Sequence, residues 1–279
     1  MDEDIAKQKK IKVISHLKKL DSLLIAFSGC VDSTFLLFLA HQTLGKNVMA
    51  VTANSAIHPI REIENARTFA HEKRIQHVVF ESNEMNLPAF VSNDADRCYW
   101  CKQHMLQALL KMAGEKDIKN VAHGANLDDL KDFRPGFRAA NEAGVIAPLT
   151  DAQLTKQEIR FLSKKMGLST WDKPSMPCLA TRIPYGSPIT KEKLKMVEKA
   201  EAFLLEQGFS NVRVRHHDSA ARIEIDSKEL KRIMSEGLRK AIVDKFRELG
   251  FQHIALDLEG YISGKTNRSL TQNLKGNNK

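Results

Sequence analysis

The sequence has no apolar segment long enough to cross a membrane. Spanning a bilayer takes about 20 consecutive apolar residues, and no stretch approaches that length. The N-terminal MDEDIAKQKK is polar and lacks the apolar core of a signal peptide. Only four of the 279 residues are cysteine, and without an export signal they favour metal binding or catalysis over a disulfide framework. We therefore expect a cytoplasmic protein with no membrane partner.

Aromatic residues are also scarce, at 6% of the chain, and there is no internal repeat, low-complexity tract or added RNA-binding module. The hydrophobic fraction of 42% is ordinary and suffices for one large domain or two smaller ones. The formal net charge of +9 favours anionic partners such as nucleotides, acidic metabolites or RNA. The scarcity of aromatic residues and the missing module argue against a nucleic acid.

Strands and helices alternate over the first two thirds of the sequence. Apolar runs predict strands at 23–27, 48–52, 76–80 and 120–123, with a further candidate at 145–147. Helical patterns cover 2–20, the segment ending near 44, the segment from 59 to 73, and 101–113. Thr155 and Glu158 have the spacing of a capping box that opens a helix to 166. This alternation predicts an α/β fold with a doubly wound parallel sheet.

The pattern changes near residues 184–188, which contain two prolines and a glycine. Beyond them we expect a helix at 191–207, strands at 212–215 and 221–225, helical stretches over 228–249 and a strand at 253–257. This order predicts a smaller, C-terminal α+β domain. We therefore place one domain at 1–185, a second at 186–262, and a loose polar tail at 263–279.

A loop suited to binding phosphate lies between the first strand and the next helix. A helix that begins there directs backbone N–H groups and the positive end of its dipole at a bound anion. Gly29 permits close approach of the backbone, and hydroxyl groups come from Ser28, Ser33 and Thr34. The loop has no Walker A pattern. It resembles the SGGxDS loop of the PP-loop ATP pyrophosphatase superfamily, whose members cleave ATP between the α and β phosphates.

The loop departs from that pattern at Cys30, which stands where the superfamily has a second glycine. If this position needs a positive φ, a side chain there costs about 1–2 kcal/mol. Two later segments agree with the resemblance, which implies that adenosine binds near Thr52, Ala53 and Asn54. The segment 124–129 resembles a G-x-N-x-D-D motif, in which Gly124 and Asn126 contact the nucleotide and Asp128 or Asp129 holds Mg²⁺. Taken alone, that segment also fits a solvated turn.

Three of the cysteines have a pattern that suggests shared ligation. Cys98 and Cys101 are separated by two residues at the start of a predicted helix, and Cys178 lies far downstream. Three thiolates can hold a [4Fe–4S] cluster whose fourth iron is open to an exogenous sulfide. Structural zinc with His104 as a fourth ligand is an alternative, as is a redox dithiol that passes on a persulfide. Cys30 is expected to be a packed thiol.

The order of several motifs resembles one family. SGCVDS, RCYWCK, DFRPG at 132–136, WDKPSMPCLATRIPYG at 171–186 and VRVR at 212–215 resemble the LarE family over roughly residues 10–260. These enzymes are ATP-dependent sulfur transferases that make the nickel-pincer nucleotide cofactor of lactate racemase. The resemblance implies that 1–185 binds ATP and adenylates a carboxylate of a pyridinium biscarboxylate mononucleotide, releasing pyrophosphate. Sulfur then displaces AMP to give a thiocarboxylate.

The resemblance also assigns roles to residues. It implies Cys178, Asp32 and Ser33 as catalytic residues, and ATP, Mg²⁺ and a [4Fe–4S] cluster as cofactors. One branch of the family sacrifices the sulfur of its own cysteine, whereas another uses a three-cysteine cluster, and Cys98, Cys101 and Cys178 look like the second. A sacrificial Cys178 is the alternative, and a homo-oligomer is expected.

The small anionic substrate is expected to bind arginine side chains. Arg213 and Arg215 alternate along a strand, so they share one face, and a guanidinium binds a phosphate bidentately. Both arginines lie in the predicted second domain, which is therefore expected to bind the substrate, and Arg182 and Tyr185, close to Cys178 in sequence near the end of the first domain, are further candidates. A solvated strand face is the alternative for the arginine pair.

Three other functions fit parts of the pattern. A tRNA thiolase combines the same loop with a three-cysteine cluster, and the basic charge suits it. An amide-forming synthetase that uses ammonia would need the loop but not the cysteines. A nucleotide-binding regulator without catalytic activity would account for Cys30 in the loop.

Overall fold

The computed structural model describes residues 1–131, 135–262 and 264–265. Residues 132–134 of the DFRPG motif lie outside the described residues, and so does the predicted tail except for 264–265. The chain forms two compact units. The first comprises residues 1–84 and 98–176, and the second comprises residues 85–97 and the chain from 177 onwards.

The first unit is an α/β fold built on a four-stranded sheet. Its strands are β1 (Leu23–Ala26), β2 (Val48–Asn54), β3 (Gln76–Glu81) and β4 (Asn120–His123). The spatial order is β3-β2-β1-β4, and every pair is parallel. The predicted doubly wound parallel sheet is confirmed.

Helices lie before, between and after these strands in the chain. They are α1 (Glu3–Leu17), α2 (Val31–Leu44), α3 (Ile60–Glu72), α4 (Pro88–Val91), α5 (Arg97–Glu115), α6 (Pro135–Glu142), α7 (Pro148–Asp151) and α8 (Lys156–Lys165). Of these, α4 belongs to the second unit. The predicted capping box at the start of α8 is present: Glu158 N–H donates to Thr155 Oγ1, and Thr155 N–H donates to the Glu158 carboxylate.

Alternate residues of the strands enter two different hydrophobic cores. Leu23 and Ile25 belong to a core that includes Phe35 of α2, whereas Leu24 belongs to a core that includes Leu106 of α5. Both faces of the sheet are therefore covered, which is why its strands appear as continuous apolar runs in the sequence. The loops that follow β1, β2 and β4 all leave the sheet at its carboxyl edge, where α/β folds bind ligands.

Two predicted boundaries differ from the structure. The candidate strand at 145–147 makes only a single bridge, from Ile146 to Ala122. Pro148 opens α7 immediately afterwards, and a proline that starts a helix ends the extended segment. Helix α5 begins at Arg97 rather than at Cys101, so both cysteines of the C-x-x-C pattern lie in its first turns.

The second unit is a smaller α+β fold. It contains α9 (Lys191–Glu206), β5 (Arg213–His217), β6 (Ala220–Glu224), α10 (Leu230–Ile233), α11 (Glu236–Glu248) and β7 (His253–Leu256). Strands β5 and β6 pair antiparallel, and β6 pairs with β7 in parallel. A core around Leu204, Val214 and Phe246 joins the sheet to its helices.

The segment 85–97 is integrated into this second unit by hydrogen bonds. The Asn93 amide donates to the carbonyls of Pro184 and Ser187, each at 2.7 Å, and Ile189 N–H donates to Val91 O at 2.9 Å. No helix in the described part of the chain has the length and hydropathy required to cross a membrane.

Candidate active site

The turn after β1 takes its shape from Gly29. Its φ is +69°, in the left-handed region that favours glycine. Cys30 has a φ of −77° and is the N-cap of α2, where its Sγ accepts a hydrogen bond from Ser33 N–H at 3.5 Å. The backbone strain that a positive φ would cause at Cys30 is therefore absent. The residue with a positive φ is Gly29, the first glycine of the motif, and not Cys30, which stands in place of the second.

The first turn of α2 buries three polar side chains. Asp32, Ser33 and Thr34 are 6%, 2% and 0% exposed, and Ser33 Oγ lies 3.2 Å from the Oγ of the exposed Ser28. Asp32 Oδ2 forms an ion pair with Lys156. Asp32 Oδ1 and Thr34 Oγ1 are buried and have no hydrogen-bond partner among the described residues. Buried polar atoms without partners are uncommon, so these two atoms are candidates to bind a ligand.

The charge of Asp32 is unfavourable in this surrounding. Burial raises the pKa of its carboxyl, the ammonium of Lys156 opposes the rise, and the nearby Asp129 adds to it. A buried carboxylate of this kind requires a cation beside it. Lys156 supplies one in the structure, on one of the two oxygens.

Helix α8 contributes three charged residues at alternate positions. Lys156 Nζ contacts Asp32, and its backbone N–H donates to Asp128 Oδ2 at 2.8 Å. Glu158 caps the helix and accepts from Lys9 of α1 at 2.7 Å. Arg160 donates to the carbonyls of Trp171 and Lys173 at 2.8 and 2.7 Å. The sequence predicted only the capping box here. The spacing of four residues between Lys156 and Arg160, which puts two cationic side chains on one face of the helix, was the signal that could have indicated them.

Gly124 is in close contact with the phosphate loop. A Cβ at this position would lie 2.7 Å from Ser33 N and 2.8 Å from Ser33 Cα, and real Cβ atoms do not approach that closely. The glycine predicted to permit close approach does so, but toward the protein's own backbone. In the turn that follows, Asn126 N–H donates to Asp129 Oδ2 at 3.0 Å, and Asp128 N–H donates to Asn126 Oδ1 at 2.9 Å. The nucleotide and Mg²⁺ contacts of this turn stay predictions.

The residues predicted to contact adenosine lie at the end of β2. Thr52 Oγ1 donates to Phe27 O at 2.7 Å and lies 2.8 Å from His77 Nε2, while Asn54 donates to Glu81 at 2.6 Å. Burial lowers the pKa of His77 to about 4, so the ring is neutral at pH 7. Ala53 is buried. These contacts fix the strand end beside the phosphate loop, and the adenosine contact stays a prediction.

Two groups beside this edge of the sheet were not predicted. Burial lowers the pKa of His123, the last residue of β4, to about 3, and the ammonium of Lys102 contributes. Burial also lowers the pKa of Lys102, against the opposing effect of the thiols of Cys101 and Cys30. Lys102 directly follows the C-x-x-C pattern, which predicted a role for the thiols but not for this lysine.

The four cysteines are half-buried, and none forms a disulfide. Cys98 and Cys101 lie in the first unit, whereas Cys178 belongs to the second. Within residues 1–131, 135–262 and 264–265, no group of three or more histidine, cysteine or acidic side chains is arranged to hold a metal ion. The three-cysteine cluster, structural zinc with His104 and the redox dithiol therefore stay predictions.

In the second unit, two of the predicted substrate arginines hold the segment around Cys178. Arg182 is fully buried; it makes two hydrogen bonds of 2.8 Å to Glu201 and donates to the carbonyls of Pro177 and Cys178 at 2.7 and 3.2 Å. Arg215 pairs with Glu224 at 2.7 Å and donates to Thr181 O at 2.9 Å. Their roles toward a substrate stay predictions.

The other two predicted substrate residues pack against aromatic or cationic neighbours. The Arg213 guanidinium lies 4.8 Å from the centre of the Tyr261 ring. Burial lowers the pKa of Arg213, and the positive charge of Arg182 contributes to this. The Arg97 guanidinium lies 4.3 Å from the centre of the Tyr185 ring.

The parallel sheet, the Ser-Gly-x-x-Asp-Ser loop after β1 and the helix it opens place the chain in the class of PP-loop ATP pyrophosphatases. Consistent with this class, it is 26% identical over 208 residues to a glutamine-hydrolyzing GMP synthase of Aeropyrum pernix, covering 67% of this chain and 40% of that protein. A scan against models of known protein families gives no match.

The relatives that extend over almost the whole chain include two informative proteins. One is the pyridinium-3,5-bisthiocarboxylic acid mononucleotide synthase of Lactiplantibacillus plantarum, 32% identical over 265 residues and 95% of each chain. The other is an uncharacterized protein of Synechocystis, 42% identical over 254 residues, 91% of this chain and 95% of that one. The protein belongs to the family of pyridinium-3,5-bisthiocarboxylic acid mononucleotide synthase, the LarE family.

Proposed function

We propose that the protein is an ATP-dependent sulfur transferase. It adenylates the carboxylates of a pyridinium biscarboxylate mononucleotide and replaces them with thiocarboxylates. The observation that carries the proposal is the phosphate loop, in which Asp32 Oδ1 and Thr34 Oγ1 are buried at the start of α2 with no hydrogen-bond partner in the part of the chain that the structure describes. The L. plantarum relative supplies the substrate class.

The residues at this edge of the sheet fit a nucleotide phosphate. The left-handed turn at Gly29 and the N-terminus of α2 form an anion-binding concavity. Mg²⁺ is usually bound by one or two carboxylates together with substrate phosphates, so it does not need a preformed group of three ligands. The buried Asp32, with the charge of Asp129 close by, fits such an ion, which would neutralise charge on the phosphates.

The chemistry requires ATP because a carboxylate oxygen is a poor leaving group. In the first step the substrate carboxylate attacks the α-phosphorus, and pyrophosphate leaves. In the second step a sulfur nucleophile attacks the activated carbonyl carbon, and AMP leaves with the former carboxylate oxygen. The phosphate loop holds the triphosphate in place for the first step. Lys156, which lies beside Asp32, stabilises the negative charge that accumulates on the phosphates during this step.

We propose that Cys178 takes part in delivering the sulfur. In a sacrificial route the Cys178 Sγ attacks the activated carbonyl carbon and forms a thioester as AMP leaves. Loss of the Cα proton then breaks the Cβ–Sγ bond, which releases the thiocarboxylate and leaves dehydroalanine. In a cluster route the thiolates of Cys98 and Cys101 are needed as well, and the cysteine survives. The adenylation and displacement steps given above are the same in both routes, and neither step depends on a cluster.

Single-cysteine variants distinguish the two routes. Cys178→Ser should abolish thiocarboxylate formation in both, since the sulfur or an essential ligand is lost. Cys98→Ser should leave it unchanged in the sacrificial route and abolish it in the cluster route. Iron analysis after anaerobic purification and the intact mass after one turnover give independent readouts: iron bound at about four atoms per chain supports the cluster, and loss of sulfur from the chain supports sacrifice.

The proposal as a whole is tested by incubating the protein with ATP, Mg²⁺ and the biscarboxylate mononucleotide. We expect pyrophosphate, AMP and a thiocarboxylate product by mass spectrometry. Asp32→Asn should lower the rate of pyrophosphate release at least tenfold, because the variant loses the charge that balances Lys156 and a cation. ATP binding without pyrophosphate release would contradict the proposal, as would amide formation from ammonia or thiolation of tRNA in place of the mononucleotide.

A further inference from the structure

The Gly29 turn is held by a lysine from a distant part of the chain. Lys173 Nζ donates to Gly29 O at 3.0 Å and forms an ion pair of 2.8 Å with Glu62 Oε2 on α3. The two side chains are only 17% and 10% exposed. Glu62 balances the charge of Lys173, so this ammonium is an internal structural donor rather than an open phosphate ligand.

The direction of the Gly29 carbonyl determines the direction of the next N–H group. A trans peptide is planar, and its C=O and N–H point to opposite sides. Because Lys173, paired with Glu62, holds Gly29 O on one side, the N–H of Cys30 points to the other. That N–H precedes the first turn of α2, and successive backbone N–H groups at such a turn form a concavity that can bind an anion.

Without the hydrogen bond from Lys173, little would fix the orientation of the peptide between Gly29 and Cys30. Glycine at a positive φ has no side chain and reaches other conformations easily. The position of its missing Cβ lies 3.4 Å from Ala66 Cβ and 3.5 Å from Glu62 O, which limits movement toward α3 but does not set the orientation of the carbonyl. The hydrogen bond from Lys173 does.

Lys173 is itself presented by helix α8. Arg160 donates to the carbonyls of Trp171 and Lys173, and Lys164 Nζ lies 4.2 Å from the centre of the Trp171 ring. Pro174 follows directly and restricts the conformation of Lys173. The backbone of this residue is therefore fixed from both sides, which gives its ammonium a defined position.

We propose that Lys173 is a positioning residue for nucleotide binding: by holding the Gly29 carbonyl it orients the Cys30 N–H, and with it the loop, toward the phosphates of ATP. This inference rests on the ATP-binding part of the proposed function. It concerns the phosphates only, and it makes no use of the sulfur step.

The test compares the affinities of the full-length protein for ATP and for adenosine by calorimetry. Lys173→Met should raise the dissociation constant for ATP about tenfold, the effect of one lost and one misdirected hydrogen bond, and leave that for adenosine unchanged. Lys173→Arg keeps a cationic donor and should recover most of the ATP affinity. Lys46→Met removes one exposed lysine from the turn before β2 and is the matched control for charge.

A general structural role would have a different signature. It would lower the affinities for ATP and adenosine together, in proportion to a fall in melting temperature, and that result would overturn the inference. An unchanged ATP affinity in Lys173→Met, equal to that of Lys46→Met, would overturn it as well. If Lys173→Met does not fold, Glu62→Gln gives the answer, because loss of the ion pair should weaken ATP binding about threefold while sparing adenosine.

The outcome is separate from that of the proposed function. A wild-type protein that binds ATP and makes no thiocarboxylate would contradict the proposed function, yet the ratio of ATP to adenosine affinity would still decide the role of Lys173. A wild-type protein with no greater affinity for ATP than for adenosine would overturn the inference directly.

Discussion

At the scale of single residues, Gly124 gives a direct test of how closely the two loops at the sheet edge are packed. Gly124→Ala should lower the free energy of unfolding by about 1–3 kcal/mol, because its Cβ would collide with the backbone of Ser33. Urea unfolding measures the change. The same replacement at Gly114, in helix α5, where no described residue comes within 4 Å of the new Cβ, should instead stabilise by up to about 1 kcal/mol. Equal midpoints for the two variants would contradict this packing.

The residue contacts of the site show what a single sequence reveals and what it conceals. Gly29, Asp32 and Ser33 were predicted because a loop motif is local. Lys156 and Asp32 are separated by 124 positions in the sequence, and Lys173 and Gly29 by 144. No periodicity in the sequence indicates contacts between residues so far apart. Likewise the alternation of Arg213 and Arg215 predicted a shared face, but not that Glu224 on the neighbouring strand pairs with Arg215.

At the scale of secondary-structure elements, the N-terminus of helix α8 carries a measurable share of the stability. Thr155→Ala removes the hydroxyl of the capping box and should cost about 1 kcal/mol in unfolding free energy. Ser235 is the matched control because it is the N-cap of α11 but makes no side-chain cap hydrogen bond. Ser235→Ala should therefore cost clearly less, and a larger loss at Ser235 than at Thr155 would contradict the assignment.

The elements themselves were largely predictable. The central strands β1 and β2 are buried almost throughout, so their apolar runs are unambiguous in the sequence, whereas the edge strand β3 is only half-buried or exposed. The four-residue helices α4, α7 and α10 were not predicted as separate helices, because one turn is too short to show a helical period. The segment at 145–147 looked like a strand because it is apolar, whereas its pairing stops where Pro148 begins α7.

At the scale of the whole molecule, buried histidines make stability depend on pH. The pKa of His123 is about 3 in the folded chain against about 6.5 when unfolded. The unfolded chain therefore binds more protons between these values, and the folded state loses stability as the pH falls below about 6.5. His123→Gln should remove up to about 1.4 kcal/mol per pH unit from this slope.

Urea unfolding between pH 7 and pH 4.5 measures the slope. His253→Gln replaces a histidine that is exposed on β7 and provides the control for loss of an imidazole. A slope that is the same in His123→Gln and in the wild type would show that His123 is not the buried neutral group described above.

The segment 85–97 has a consequence for synthesis on the ribosome. It emerges in the middle of the first unit, yet its hydrogen-bonding partners at 184–189 are made about 90 residues later. Amide groups such as that of Asn93 must therefore stay hydrated, or be shielded by a chaperone, until the rest of their unit has been translated. Each unit consists of two separate segments of the chain, so a single proteolytic cut cannot release either unit intact. Limited digestion should therefore release no fragment that matches one whole unit.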